Sequence, residues 1–334
     1  MIPLSVLDLV PIREGKEVSD ALAEAGTLAK VAEEAGYKRL WVAEHHMSPG
    51  IAGGATSVAI SHIGHCTSTI RIGAGGIMLP NHNPFVIAEQ FGTLDALFPG
   101  RVDLGLGRAP GAAPVLAQAL RKNLGQAAEY FPQDVVELRA MLTGDIELPI
   151  TATPGLGAKV ELWMLGSSLF GAQLAARLGM PYAFASHFAP DHLDAALSTY
   201  RSEFRPSDYL DKPHAMAAMT VICADSDGDA VLLASSQDQA FVRLRTGDPG
   251  KLPPPVAGYR ETLDMSAQGM LARLDVARAV GSPATVRERI ARFVERTQAD
   301  EIIVSGATYD PAARQQSLRL TMEALGADQP ASAK

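Results

Sequence analysis

The segment Leu4-Ser5-Val6-Leu7-Asp8-Leu9-Val10-Pro11-Ile12-Arg13-Glu14-Gly15 decides the architecture. Its apolar first part, residues 4 to 10, reads as a strand. The turn that follows lacks the glycine fingerprint with which a doubly wound dinucleotide-binding sheet holds a pyrophosphate at its first βα turn. Beyond it, strands and helices alternate evenly. A helix is expected to open at Ser19, whose hydroxyl suits an N-cap, and to stop near Gly36. Seven more strands are expected at 39–43, 70–79, 102–107, 160–165, 181–186, 215–223 and 301–305. Helical patterns at 56–69, 84–98 and 126–142 fall between them, and 109–125 reads as loop. The alternation alone allows an open sheet or a closed one. Eight evenly spread units with no linker between halves favour an α/β fold, a (β/α)8 TIM barrel with loop insertions. One domain is expected over residues 1–325, with a polar, frayed tail at 326–334. The proline-rich stretch 247–258 reads as a surface loop or lid.

Composition excludes several function classes. With 47% apolar and 20% charged residues, the 334-residue chain is that of a globular protein. A net charge of -8, with no run of Lys and Arg, argues against a nucleic-acid partner. The apolar opening lacks the basic flank of a signal peptide and is too short to span a bilayer, so no membrane association is expected. Two distant cysteines, Cys66 and Cys223, offer neither a disulfide framework nor a metal-ligand spacing, as in a cytoplasmic protein.

Trp41-Val42-Ala43-Glu44-His45-His46 is the most informative cluster, because a strand delivers three titratable residues at its C-terminal end, where barrel active sites are built. His45 there suits a general acid or base at neutral pH, and Glu44 suits a group that orients a ring. A hydrogen-bonded surface cluster is the competing reading. Glu44-His45-His46 lacks the i, i+4 spacing of a helical zinc site, and no metal is expected.

Gly73-Ala74-Gly75-Gly76 permits close approach by a flat ligand, or merely a bulge. Arg108, just past a strand, reads as a phosphate contact or as a solvated surface arginine. Gly105-Leu106-Gly107-Arg108-Ala109-Pro110-Gly111 has the wrong spacing for a dinucleotide fingerprint. Ser167 and Ser168 precede a helix, whose free N–H groups form either an anion site or an ordinary capped end. Arg108 and the serines support one another only if the fold brings them together.

Two further motifs are rejected. His62-Ile63-Gly64-His65 matches a synthetase tetrapeptide but falls in mid-helix. Asp225 to Asp229 resembles the start of a Ca2+ loop, yet Ala230 and Ser236 stand where glycine and the bidentate glutamate are needed, so helix capping by Asp225 or Asp227 accounts for it.

Taken in order, residues 39–46, Ile72 to Pro80, Ala88-Glu89-Gln90, Leu94-Asp95, Gly100-Arg101, Leu104 to Arg108 and Leu165 to Ser168 resemble the bacterial luciferase-like family of flavin-dependent barrel enzymes. The resemblance covers nearly the whole chain and is strongest from Ile2 to Gly111. It implies that His45 is the active-site histidine and that Gly75-Gly76 lies near a non-prolyl cis peptide beneath the flavin. It further implies that Arg108, Ser167, Ser168 and Gly171 hold the flavin phosphate, with Glu44 beside the flavin. The implied activity is a two-component monooxygenase. Reduced FMN (FMNH2) from a separate flavin reductase and O2 would oxygenate a small organic substrate through a flavin C4a-hydroperoxide, in a homodimer. Alternatives within the same superfamily are an F420-dependent hydride-transfer dehydrogenase and a non-catalytic FMN-binding barrel. The Glu-His-His triplet leans towards FMN. Two departures stand out: Gly107 replaces the luciferase cysteine beside the flavin, and Asn83, with His82 beside it, replaces a family histidine. Light emission and aldehyde oxidation are therefore not implied.

Overall fold

The computed structural model describes residues 2–108, 115, 119–120 and 124–326. The loop expected at 109–125 and the tail at 326–334 fall almost wholly outside them. Among the described residues, nine parallel strands are present: β1 (Leu4–Asp8), β2 (Arg39–Val42), β3 (Arg71–Met78), β4 (Val102–Gly107), β5 (Glu161–Gly166), β6 (Tyr182–Phe184), β7 (Ala215–Cys223), β8 (Arg278–Gly281) and β9 (Glu301–Ser305). Eight of them close in the order β1-β2-β3-β4-β5-β6-β7-β9 and back to β1, a (β/α)8 barrel. These eight are the strands expected from the sequence.

The ninth, β8, pairs with the last four residues of β7, Thr220–Cys223, and lies outside the ring. Four residues, opening on Arg278 and closing on Gly281, carry too little pattern to announce a strand.

Among the described residues, the α-helices are α1 (Val18–Glu34), α2 (Thr56–Cys66), α3 (Pro84–Leu97), α4 (Leu124–Thr143), α5 (Leu169–Leu178), α6 (Leu193–Glu203), α7 (Asp227–Thr246), α8 (Met265–Leu274), α9 (Pro283–Thr297) and α10 (Pro311–Gly326). Two caps differ from expectation. Helix α1 starts after Glu17, whose N–H donates to Asp20, so Ser19 lies within the first turn. Helix α7 is capped by Ser226, which accepts from the Asp229 N–H. Asp227 instead accepts from the Ser282 N–H at the start of α9, tying two helices together. His62 and His65 lie exposed on α2, bonded to the carbonyls of Leu22 and Ser61. Among the described residues, no helix is long and apolar enough to cross a membrane.

Strand periodicity sorts side chains into two layers. Leu7, Trp41, Trp163, Ala183, Met216, Ala218 and Ile303 fill the barrel, with the two indoles edge to face at 5.4 Å. Their neighbours Val6, Leu40, Ile72, Leu104 and Leu162 point outward into the helix layer. The N-terminal end of the barrel is closed by charge. Arg39, 1% exposed, donates to Asp103 at 2.7 Å, to Glu161 at 3.2 Å and to Glu301 at 2.9 Å. The indole N–H groups of Trp41 and Trp163 donate to Asp103 and Glu161. A plug of paired charges at this end braces the barrel and leaves the opposite, C-terminal mouth for a ligand.

Candidate active site

The mouth is assembled from residues just beyond the strand ends. Glu44 follows β2 and is buried, 1% exposed. Its carboxylate accepts from the Met78 N–H at 3.0 Å and is met by His46 Nε2 at 2.6 Å and His82 Nε2 at 2.9 Å. Burial acts to raise this carboxyl, but the bonds from His82, Met78 and His46 outweigh it and hold it below the usual range.

Glu44, His46 and His82 offer donor atoms within 4.8 Å of one another, a grouping not expected from the sequence. At 2.6 Å, however, His46 Nε2 and the carboxylate oxygen are closer than two donors about 2 Å from one tetrahedral zinc stand from each other, and the distance is that of a hydrogen bond. The arrangement meets a buried carboxylate with two imidazoles and fixes the loops after β2 and β3.

With Glu44 turned to that task, His45 is left over. Its Nδ1 is buried and has no hydrogen-bond partner among the described residues. Burial pushes the imidazole down; the pull of Glu44 opposes this and the neighbouring His46 adds to it. The net shift is downward, so His45 is neutral at pH 7, able to accept or donate a proton.

Beside it, β3 and β4 shift register between Gly75 and Ile77, and the Gly75-Gly76 peptide is cis. A Cβ on Gly75 would meet Leu7 Cδ1 at 2.8 Å; one on Gly76 would meet the Gly105 carbonyl at 2.6 Å. The backbone itself is therefore one wall of the mouth. Gly76 also accepts from the Glu44 N–H, joining this wall to the histidine cluster.

On the next side, Ser168 is the N-cap of α5 but makes no side-chain cap bond, and Ser167 and Ser168 are both exposed. Gly171, on the first turn, packs its backbone against Gly166, where a Cβ would come within 3.3 Å of the Gly166 Cα. Arg108, beyond β4, is exposed and lies with its guanidinium 4.0 Å from the Phe170 ring centroid. The fold thus brings the arginine to the uncapped helix end.

The stretch 247–258 is a loop, and it is fastened. Leu252 exchanges backbone bonds with Ile12 and Glu14, and Val256 N–H donates to Ser235. It spans loops on the C-terminal face rather than hanging free. A cavity of about 510 Å³ between α7 and α9 shares no residue with the mouth; Asp238, paired with Arg260 and Arg278, lies in its lining.

The model of the luciferase-like monooxygenase family matches residues 3–301. The chain belongs to that family. A luciferase-like monooxygenase of Escherichia coli (strain K12) is 48% identical over 324 residues, covering 96% of each chain. The crystal structure of apo-MsnO8 superposes with a TM-score of 0.86 at 34% identity, covering 98% of this chain and 99% of that one. Two more distant structures share the fold. The oxygenating constituent of 3,6-diketocamphane monooxygenase from Pseudomonas putida, in complex with FMN, has a TM-score of 0.73 at 19% identity, with 99% of both chains covered. An F420-dependent secondary alcohol dehydrogenase has 0.69 at 15%, with 98% and 99% covered. Barrels of this fold thus include binders of either cofactor.

Sequence reading missed His187, three residues beyond β6, whose Nδ1 is also buried and unpaired. The rule that selects His45, a titratable residue just past a barrel strand, selects His187 equally.

Proposed function

We propose that the protein is an FMN-dependent monooxygenase of a small organic substrate, supplied with reduced flavin by a separate reductase. The observation that carries this reading is the placement of Arg108 beside the uncapped start of α5. A cation and free backbone N–H groups together make a phosphate seat. The remaining residues fit the rest of such a cofactor: a glycine backbone wall where side chains would collide, and a buried imidazole nitrogen without a partner.

In this reading Arg108, Ser167, Ser168 and Gly171 hold the phosphate end, and Gly75 and Gly76 let the flavin ring lie against backbone. Glu44 fixes the loops after β2 and β3 through His46 and His82. His45 holds or moves a proton at Nδ1. When bound, reduced flavin supplies the activation of O2; the protein supplies position, proton control and exclusion of water. The fastened loop at 247–258 contributes the last of these. The protein acts as a homodimer in the cytoplasm.

The test is to reduce the FMN-loaded protein anaerobically, mix it with oxygen and follow the flavin spectrum. A transient that precedes oxidised FMN and is absent from free flavin supports the reading. Reoxidation indistinguishable from free reduced FMN overturns it. Reduction of bound F420 by an alcohol, with no oxygen-dependent transient, would instead favour hydride transfer.

A further inference from the structure

We propose that His187 is the wall of the active site opposite His45, and that the substrate is seated between their two Nδ1 atoms. The inference rests on the flavin reading only for what fills the remainder of the mouth.

In the closed ring, β2 and β6 are four strands apart in either direction, so they stand across the barrel from each other. Strand β2 ends at Val42 and β6 at Phe184, which places His45 and His187 each three residues beyond a strand end. The two residues therefore stand on opposite sides of the same rim. Both Nδ1 atoms are buried, and neither has a hydrogen-bond partner among the described residues. A buried polar atom left unmet is destabilising, and a pair of them across a barrel mouth is the pattern of a site that a ligand completes.

The flanking residues hold His187 in place. Ser186 Oγ donates to the Ala218 carbonyl of β7 at 2.5 Å, and the ring of Phe188 packs edge to face on Phe241 of α7. Arg245 of α7 stacks on Phe188 at 4.6 Å. The charged and titratable groups around the pair are thus Glu44 and His46 beside His45, His82 behind Glu44, and Arg245 on the His187 side. Burial and the charge of His45 both push His187 down, to about 4, so His187 lies within the field of His45. Both rings are neutral at pH 7. A neutral imidazole nitrogen either donates or accepts, so the seat suits a substrate whose reacting end is polar and uncharged, bonded from both sides.

The test uses 15N-histidine NMR on the full chain, whose eight histidines give separable ring signals. The charge of a protonated His45 acts to lower His187. His45→Asn should therefore move the His187 midpoint to higher pH. His187→Asn should move His45 far less, since burial, Glu44 and His46 are what shift His45. Adding FMN should perturb both ring signals and leave exposed His62 and His65 unmoved. A His187 midpoint unchanged in His45→Asn overturns the proposal. FMN binding that moves His45 but not His187 also overturns it and leaves the flavin reading intact. Coupled titrations with no FMN binding sink the flavin reading and uphold the pair. His187→Gln, with its thermal melt, checks that loss of the imidazole leaves the fold in place.

Discussion

The guanidinium of Arg108 lies 4.0 Å from the ring centroid of Phe170, stacked on the first turn of a helix whose cap residue, Ser168, makes no side-chain bond. Stacking fixes the plane of the guanidinium and leaves its N–H groups to face an anion. Arg108→Ala should weaken FMN binding roughly ten- to a hundredfold, the loss of a charge-assisted bond of about 1.5–3 kcal/mol. Arg108→Lys should fall between, keeping charge but losing the planar fork. Flavin fluorescence quenching measures the affinity. Since Arg108 is exposed, the melting temperature should hardly change.

Glycine at 76 is required by contact, and glycine at 107 is not. A Cβ on Gly76 would collide with the Gly105 carbonyl at 2.6 Å, whereas one on Gly107 would find its nearest neighbour, the Ile77 carbonyl, at 3.7 Å. Gly76→Ala should cost about 1–3 kcal/mol in urea unfolding, as overpacking does, and remove FMN binding. Gly107→Cys, which restores the luciferase residue, should unfold at the urea concentration of the native chain.

How far the sequence discloses this site depends on how local each relationship is. His45 is visible because its own strand carries it to the mouth, and His187 is equally placed but lacks the flanking titratable residues that draw attention to Glu44-His45-His46. The three-way contact of Glu44 with His46 and His82 joins loops after two different strands, and no spacing in the chain announces it. The same holds for Arg108 and Phe170, which belong to different βα units. Strand β8 was hidden for another reason: its partner is one end of β7, outside the ring whose periodicity shows the other eight. Capping was misread at Asp227 because its carboxylate serves α9, a helix more than fifty residues away in sequence.

At the closed end of the barrel, Arg39 is the cation shared by Asp103, Glu161 and Glu301. Arg39→Ala would leave those carboxylates with Arg71, Lys38 and His214, and a cavity beneath Trp163, whose ring centroid is 4.8 Å from the guanidinium. Breaking a buried pair in this way costs about 3–5 kcal/mol. The change should appear as a lower urea midpoint. FMN affinity in the surviving folded fraction should stay native, because the mouth is at the other end.

Glu301 makes that network sensitive to acid. Burial acts to raise its carboxyl, but His214, Arg39, Ser5 and Lys38 together bring it down to about 2, against an ordinary 4.5. A carboxyl depressed by folding contributes stability that is fully present above its unfolded value. That contribution fades as pH falls from about 4.5 towards 2. The contribution is on the order of 3 kcal/mol at neutral pH. Urea midpoints measured down this range should therefore fall steeply for the native chain. Glu33 titrates in the same window, held at about 2 against its burial by the N–H groups of Ile70, Thr69 and Ser68. Glu33→Gln should leave most of the acid dependence in place, because its carboxylate is largely solvent-screened. Glu301→Gln should lower stability at neutral pH and flatten the curve. A slope unchanged in Glu301→Gln would show that another buried carboxyl governs acid unfolding.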